Sequence, residues 1–281
     1  MRVLITGASG QLGSDLARLV PEAVALSRSE LDVGDSAAVR AAFETHRPEL
    51  VFNCAADNAV DAAEDSPARA FRVNALGPGL LAAACAAAGA RLVHFSTNYV
   101  FDGAKRSPYV ETDPISPLGR YAESKAEGER RVLAELPAAL VIRSSGLYGV
   151  VGSAVKGGSF PERIIRNARE GKPLRVVDDQ LLNPTYTRDL AERSLELAAT
   201  ELAGVVHVVP EGCASYWELA TEALRLAGLG GEVERVKTGD FAARAPRPLN
   251  GCLVSGRVRP LRNWKLGLAH WWTEVSEGKE T

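Results

Sequence analysis

At 281 residues, 46% of them hydrophobic and 24% charged, the chain can bury a sizeable core and reads as globular, enough for one large domain or two modest ones. With 33 basic against 35 acidic side chains and a formal charge of -2, it carries no net field to draw nucleic acid or an anionic membrane surface, and neither is expected as a partner. Met1 runs straight into "RVLIT", which starts like a buried strand and leaves no room for a targeting segment, so a cytoplasmic protein is expected.

Short apolar strands then alternate with helical stretches: "RVLIT", a glycine loop, "VAL" near Val24, a helix from Asp35, "LVFN", a long alanine-rich helix, "RLVHFS", the helix holding Tyr121, and "ALVIR". Alternation of this kind, with strands apolar on both faces, predicts an α/β fold with a doubly wound parallel sheet of Rossmann type. The apolar run "LLAAACAAAGA", residues 80–90, is too short and too alanine-rich for a bilayer, which takes roughly 20 residues, and is read as a core helix. After Gly146 the pattern loosens into the glycine-rich "GVVGSAVKGGS", a helix near Phe160, a strand near Leu174, the helix "TRDLAERSLELAA" and the strand "GVVHVV". Residues 1–150 are expected to bind a dinucleotide, with later return segments near 177–209, and 151–281 to form largely a smaller C-terminal substrate-binding lobe. Cys54, Cys85, Cys213 and Cys252 lack CxxC spacing, and His46, His94, His207 and His270 lie far apart. Buried thiols are expected, with neither a disulfide framework nor a metal site.

"TGASGQLG" follows the first strand and leads into a helix, with Gly7, Gly10 and Gly13 at three-residue intervals. Glycines in that place permit a tight turn and close approach of backbone amides to a pyrophosphate, which the helix N-terminus also favours. The second strand ends at "ALSRSELD", where a carboxylate would read the ribose of NAD; Ser27 and Arg28 stand there instead. Arg28 can donate to a 2′-phosphate, so NADPH is expected, with NADH the alternative. Glu30 and Asp32 lie close by, Asp32 beside the adenine.

In "RYAESKAEGE", Tyr121 and Lys125 are four positions apart and share one helix face. Such a pair arises by accident often enough that spacing alone decides nothing. It follows the fourth strand, however, and that strand ends in "HFSTNYVFDG", which delivers Ser96 and Thr97 to the carboxyl edge of the sheet. A nearby ammonium lowers a phenol's pKa, so Lys125 is expected to tune Tyr121. The phenol would then protonate an alkoxide formed by hydride addition, with the Thr97 hydroxyl bonded to the same oxygen.

These stretches, with "NCAADNAVDAAEDSP", "VNA" at 73–75, "PYVETDPISPLGRYAESKAEGE", "VIRSSGLYG", "DDQLLNPTYTRDLA" and "RPLNGCL", make the chain resemble the extended short-chain dehydrogenase/reductases, and more narrowly the dTDP-4-dehydrorhamnose reductase family. The resemblance implies Thr97, Tyr121 and Lys125 as the catalytic trio. It implies a dinucleotide along Gly7, Gly10, Gln11, Leu12, Asp32, Val33, Cys54, Ala55 and Ala56, with Arg28 on the ribose phosphate, Lys125 on the nicotinamide ribose, and Ser144 and Ser145 beside the nicotinamide. The sugar nucleotide would sit against Asn58, Val60, Tyr99, the "GGSF" segment from Gly157, and the 247–250 segment with Arg247 and Asn250. Two positions depart from the family: Asn98 stands where an aspartate is usual, and Gly146 where the rhamnose-forming enzymes place a tryptophan against the sugar. The missing ring should leave space and shift the sugar preference. The expected activity is NADPH-dependent reduction of the C4 ketone of a nucleotide-linked 4-keto-6-deoxyhexose. The alternatives are a nucleotide-sugar epimerase or dehydratase and a non-catalytic NADP-binding regulatory subunit; a homodimer is left open.

Overall fold

The computed structural model describes residues 1–152 and 157–277. The expected strands form β1 (Val3–Thr6), β2 (Val24–Leu26), β3 (Leu50–Asn53), β4 (Arg91–Thr97) and β5 (Leu140–Ser144). Between them run α1 (Gln11–Leu19), α2 (Ser36–His46), α3 (Val60–Asp65), α4 (Pro67–Phe71), α5 (Gly77–Ala88) and α6 (Arg120–Glu135). Asp35 lies outside α2 as its N-cap, accepting from the Ala37 and Ala38 amides, which is why the helix starts one residue later than its sequence pattern. After β5 come β6 (Leu147–Tyr148), α7 (Phe160–Arg169), β7 (Leu174–Val177), β8 (Leu181–Leu182), β9 (Thr185–Tyr186), α8 (Thr187–Ala198) and β10 (Gly204–His207). The chain ends with β11 (Ala214–Ser215), α9 (Tyr216–Leu226), β12 (Val233–Val236) and α10 (Trp264–Glu277).

One six-stranded sheet has the order β10-β5-β4-β3-β1-β2, and all its pairings are parallel. Successive side chains of a strand point to opposite faces, and the two cores divide on that period. Val3, Ile5, Leu50, Phe52, Val93, Phe95, Leu140 and Ile142 pack on one face with Leu12 and Leu16 of α1 and Leu190 of α8. Leu4, Val51, Leu92 and Val141 pack on the other with Phe43 of α2, Leu81 and Cys85 of α5, and Val132 of α6. The strand order reverses between β1 and β3, so the loops leaving those strands flank a crevice at the carboxyl edge of the sheet, where α/β proteins bind ligands.

Two sequence expectations change. The apolar helix is longer than the 80–90 run: α4, a π-helical turn (Arg72–Leu76) and α5 continue without a break as Pro67–Ala88, 22 residues containing an 18-residue stretch of mean hydropathy 1.3, long and apolar enough to cross a membrane. Half of that stretch is buried inside the protein, Leu81, Ala82 and Cys85 completely, so it belongs to the core as expected, though not for want of length. Second, Cys213 and Cys252 are joined as a disulfide, whereas Cys54 and Cys85 are free thiols. The pairing is between loops 39 residues apart in sequence, which no local spacing announces. Asn183 helps bring those loops together, its side chain donating to Gly212 O at 2.9 Å and accepting from Leu253 N at 2.7 Å.

Candidate active site

The loop after β1 is shaped by what its glycines lack. Gly7 sits at φ 66°, and a Cβ there would lie 2.7 Å from Ala55 N, so only glycine lets the β1 and β3 loops approach so closely. Gly10 caps α1 without a side chain, and the first turn of that helix holds no acidic residue, so its amides would meet a phosphate with no carboxylate in competition. Leu12 itself is buried in the core, and only its backbone can take part. Two buried side-chain atoms in this region have no partner, Gln11 Nε2 beside the glycine loop and Ser144 Oγ at the end of β5. Orphan donors at the edge of the sheet are what a polar dinucleotide would satisfy, and the residues present fit one. Cys54, Ala55 and Ala56 line the opposite wall, half-buried. Ser145 is stitched into the protein instead, donating to Gly251 O at 3.3 Å and accepting from Asn183 N at 3.3 Å.

At the far end of the crevice Arg28 is exposed and makes no hydrogen bond or ion pair among the described residues. Asp32 accepts from Gly34 N at 3.0 Å and pairs with Arg72 at 2.7 Å, while Val33 is buried against the α5 side.

Thr97 is the last residue of β4. Its hydroxyl accepts from Tyr99 N at 3.2 Å, closing a 3-10 turn (Asn98–Val100), and lies 3.3 Å from Asn98 Oδ1. Tyr121 comes from the first turn of α6, 8% exposed, with its hydroxyl donating to Asn58 Oδ1 at 3.2 Å and its ring edge-on to Tyr99 at 5.6 Å. Burial pushes the phenol up to about 12; a hydrogen bond with Thr97 works against that, and the Asp57 carboxylate adds to it. The phenol therefore holds its proton at neutral pH, as a proton donor must.

Lys125, one turn further on and 2% exposed, donates to Phe95 O at 2.7 Å. Burial pulls its amine down to about 8, with Glu129 and then Cys54 acting in the other direction. The expected tuning of Tyr121 by Lys125 is not what moves the phenol here, because the ammonium is drawn to a sheet carbonyl and burial dominates the tyrosine.

Around these residues lies a buried polar frame. Glu129, one more turn along α6, forms a two-pronged ion pair with Arg143 of β5 at 2.6 and 2.8 Å and accepts from Ser96 at 2.5 Å. Arg143 stacks on Phe101 with its guanidinium 5.2 Å from the ring centre. Asn74, fully buried in the π-helical turn, accepts from Asp57 N at 2.8 Å and donates to Asp57 O and Ser124 Oγ, both at 3.0 Å. It thereby ties the loop bearing Asn58 to the helix bearing Tyr121. His94 stays neutral beneath Lys125, held well below its usual value by burial and by that charge. Of these, Glu129 could have been found in sequence as the next i+4 step after Lys125; Asn74 and Arg143 lie inside the stretches "VNA" and "VIRSSGLYG" that carry the resemblance, but nothing in those stretches announces their partners.

Beyond Tyr99 the crevice opens into a cavity of about 590 Å³, lined among others by Asn58, Val60, Phe160, Tyr216 and Arg247. Arg247 is already held, giving two parallel hydrogen bonds to Asp61 at 2.9 and 2.7 Å. Asn250 does not face this cavity's chemistry as expected: its amide nitrogen donates to Lys105 O and Ser107 O, and its oxygen accepts from Cys252 N, so the side chain is a loop staple. Asn98, buried, packs its amide against Gly251. The space expected at Gly146 is not there either. Gly146 adopts φ 59°, and a Cβ would meet the Leu182 side chain and lie 3.0 Å from Asn183 O, so the space next to this backbone is already taken by Leu182 and the 182–183 segment. Among the described residues no group of three or more His, Cys, Asp or Glu gathers as a metal site.

The family model described as RmlD substrate binding domain matches residues 1–277. A dTDP-4-dehydrorhamnose reductase of Streptomyces griseus is 41% identical over 95% of this chain and 91% of its own. A probable dTDP-4,6-dihydroxy-2-methyloxan-3-one 4-ketoreductase of Streptomyces antibioticus is 40% identical over 95% and 93%. In three dimensions the chain resembles the dTDP-4-dehydrorhamnose reductase of Bacillus anthracis solved in complex with NADP, with a TM-score of 0.92, 33% identity, and coverage of 97% of this chain and 99% of that one.

Proposed function

The chain belongs to the RmlD substrate binding domain family, and from that membership and the crevice we propose that it is an NADPH-dependent reductase of the C4 ketone of a dTDP-linked 4-keto-6-deoxyhexose. The observation that carries the reading is the buried, protonated Tyr121 beside Thr97, set between the glycine loop and a cavity large enough for a nucleotide sugar. Gly7, Gly10, Gln11 and the start of α1 would hold the pyrophosphate, Arg28 the 2′-phosphate, and Lys125 and Ser144 the nicotinamide end. Bound there, the dinucleotide supplies a hydride to the carbonyl carbon.

The rest falls to the protein. Thr97 and Tyr121 hydrogen-bond the carbonyl oxygen, and as negative charge grows on it the phenol gives up its proton. A phenol pushed up by burial is a poor acid toward water, and it becomes effective only toward an alkoxide, which is more basic still. Lys125, positive at neutral pH and anchored on Phe95 O, would hold the ribose at the nicotinamide end and not the phenol. General acid catalysis of this kind contributes about 10² to 10⁴ in rate. Asn58, hydrogen-bonded to the phenol, fixes its direction before substrate arrives. The relatives named for different sugars are nearly equal in identity, so overall similarity does not set the configuration of the new hydroxyl. The reading includes a cytoplasmic location, where NADPH and nucleotide sugars are made.

Incubation with dTDP-4-keto-6-deoxyhexoses and NADPH, followed by NMR of the product, tests it. One NADPH consumed for each hydroxyl formed is the expected result. Sugar turnover without net loss of NADPH would assign the protein to the epimerases or dehydratases, and cofactor binding without turnover of any such sugar would make it a binding subunit.

A further inference from the structure

The turn after β2 is folded tightly. Glu30 N and Leu31 N both donate to Ser27 O, at 3.2 and 3.0 Å, so residues 27–31 make one tight turn, and Asp32 just after it lies near enough to Arg28 for the two charges to act on each other. An arginine and an aspartate so placed would ordinarily pair. Here they do not: Asp32 Oδ2 is taken by Arg72 Nη2 at 2.7 Å and Asp32 Oδ1 by Gly34 N at 3.0 Å. Ser27 is occupied as well, its hydroxyl and amide both on Glu30 Oε2 at 2.6 and 2.8 Å. Arg72 arrives from the π-helical turn, and its stem passes where a side chain at position 34 would be, Cγ lying 2.7 Å from the Cβ that Gly34 lacks.

For the fold this ion pair matters little, since its side chains are 48% and 43% exposed and such surface bridges contribute almost nothing. Its effect is on the adjacent anion site. Without a partner, the Asp32 carboxylate would draw Arg28 toward itself and repel a dianionic phosphate a few ångströms away. We propose that Arg72 sets the preference for NADPH by neutralising Asp32 and so reserving Arg28 for the 2′-phosphate. Arg72 is thus a positioning residue, acting through Asp32; the inference rests on the reading of Arg28 as the phosphate ligand. Partial burial raises the Asp32 carboxyl, but the Gly34 amide and the two arginines outweigh it and hold the group ionised, so its charge is present to be neutralised.

Fluorescence titration with NADPH and NADH, without sugar, tests this on the unmodified protein, Arg72→Met, Arg72→Lys and the Arg72→Met/Asp32→Asn double variant. Methionine keeps a stem against Gly34, and asparagine keeps an acceptor for the Gly34 amide. NADPH affinity is expected to fall about tenfold in Arg72→Met with NADH affinity almost unchanged, the size expected for an unpaired charge near a dianion. The double variant should recover most of the loss, and Arg72→Lys should keep the preference. An unchanged NADPH-to-NADH ratio in Arg72→Met overturns the inference. A loss that Asp32→Asn leaves in place also overturns it, because Arg72 would then hold the phosphate directly. Equal affinity for the two cofactors in the unmodified protein removes the Arg28 reading itself, and the inference with it. Thermal unfolding of each variant separates these outcomes from loss of fold.

Discussion

The Lys125 ammonium donates to the carbonyl oxygen of Phe95 at 2.7 Å, turned toward the sheet and away from the phenol one helical turn back. Burial lowers its pKa from 10.5 to about 8. Between those values the unfolded chain holds a proton that the folded protein has lost, so stability rises with pH across that window, and below pH 8 the full cost of a buried charge is present. That cost is roughly 3 kcal/mol, and removing the amine also forfeits a hydrogen bond worth about 1 kcal/mol. Lys125→Met should therefore make the cofactor-free protein about 2 kcal/mol more stable at pH 7. The gain should fade as pH rises from 8 toward 10.5, while cofactor binding and turnover both weaken. Urea unfolding across that pH range checks it; a variant less stable than the parent at pH 7 would show that the amine is better solvated than its burial implies.

Tyr121→Phe removes one hydroxyl and almost no volume. Turnover should drop by about 10² to 10⁴ with NADPH affinity nearly intact, and stability should change by no more than about 1 kcal/mol, the worth of the bond to Asn58. Single-turnover kinetics and a cofactor titration decide it. Near-normal turnover would take Tyr121 out of the chemistry.

Arg28→Ala is expected to weaken NADPH by tenfold or more, on the basis of about 1.5 to 3 kcal/mol for a charged hydrogen bond, and to leave NADH alone. Because the unmodified side chain makes no contact that the fold relies on, its unfolding midpoint should not move. Comparable losses for both cofactors would mean that the guanidinium touches something other than the phosphate.

How much of this could be read in the chain depends on distance along it. The alternation of buried strands and helices fixes the parallel sheet, and the glycine loop with its helix is a contiguous pattern, as is the Tyr121–Lys125 step on one helix face. What could not be read is held by pairs distant in sequence. Leu182 packed against Gly146, Asn250 turned into a staple for residues 105 and 107, and the Cys213–Cys252 bond all depend on how the later loops fold back. The direction of the Lys125 side chain is hidden for a related reason: charge spacing predicts an attraction to the phenol, but the buried carbonyl of Phe95, inside the neighbouring strand β4, is the partner it takes.

At Gly146 the backbone itself limits what can be built. Gly146→Ala should cost about 1 to 3 kcal/mol, from the left-handed conformation and from crowding against Asn183 O. Gly146→Trp should cost more and fail to create a rhamnose-type sugar wall. Chemical denaturation measures the first; the second is refuted if the tryptophan variant folds normally and gains efficiency with dTDP-4-dehydrorhamnose.

Glu129→Gln leaves Arg143 buried with its charge half-answered. A loss of about 3 to 5 kcal/mol is expected, as for other buried pairs broken on one side. Glu129 also holds the Lys125 amine up, so in the variant that amine should fall below 8. Titration of Lys125 by NMR, with unfolding measured alongside, tests both parts, and an unmoved lysine would disconnect the two charges.

The position of β10 also governs where the chain can be cut. β5 lies between β4 and β10, and the residues that form β10 come only after the whole of β6 to α8. A fragment ending near residue 150 would leave β5 as an open border, with a row of unanswered amides and carbonyls along Leu140–Ser144, and would strip α8 from the face of α1. Exposed apolar strands of that kind recruit other chains. The first 150 residues, though they hold the glycine loop, Thr97, Tyr121 and Lys125, should precipitate when expressed alone, and on the ribosome the sheet stays incomplete until residue 207 has emerged.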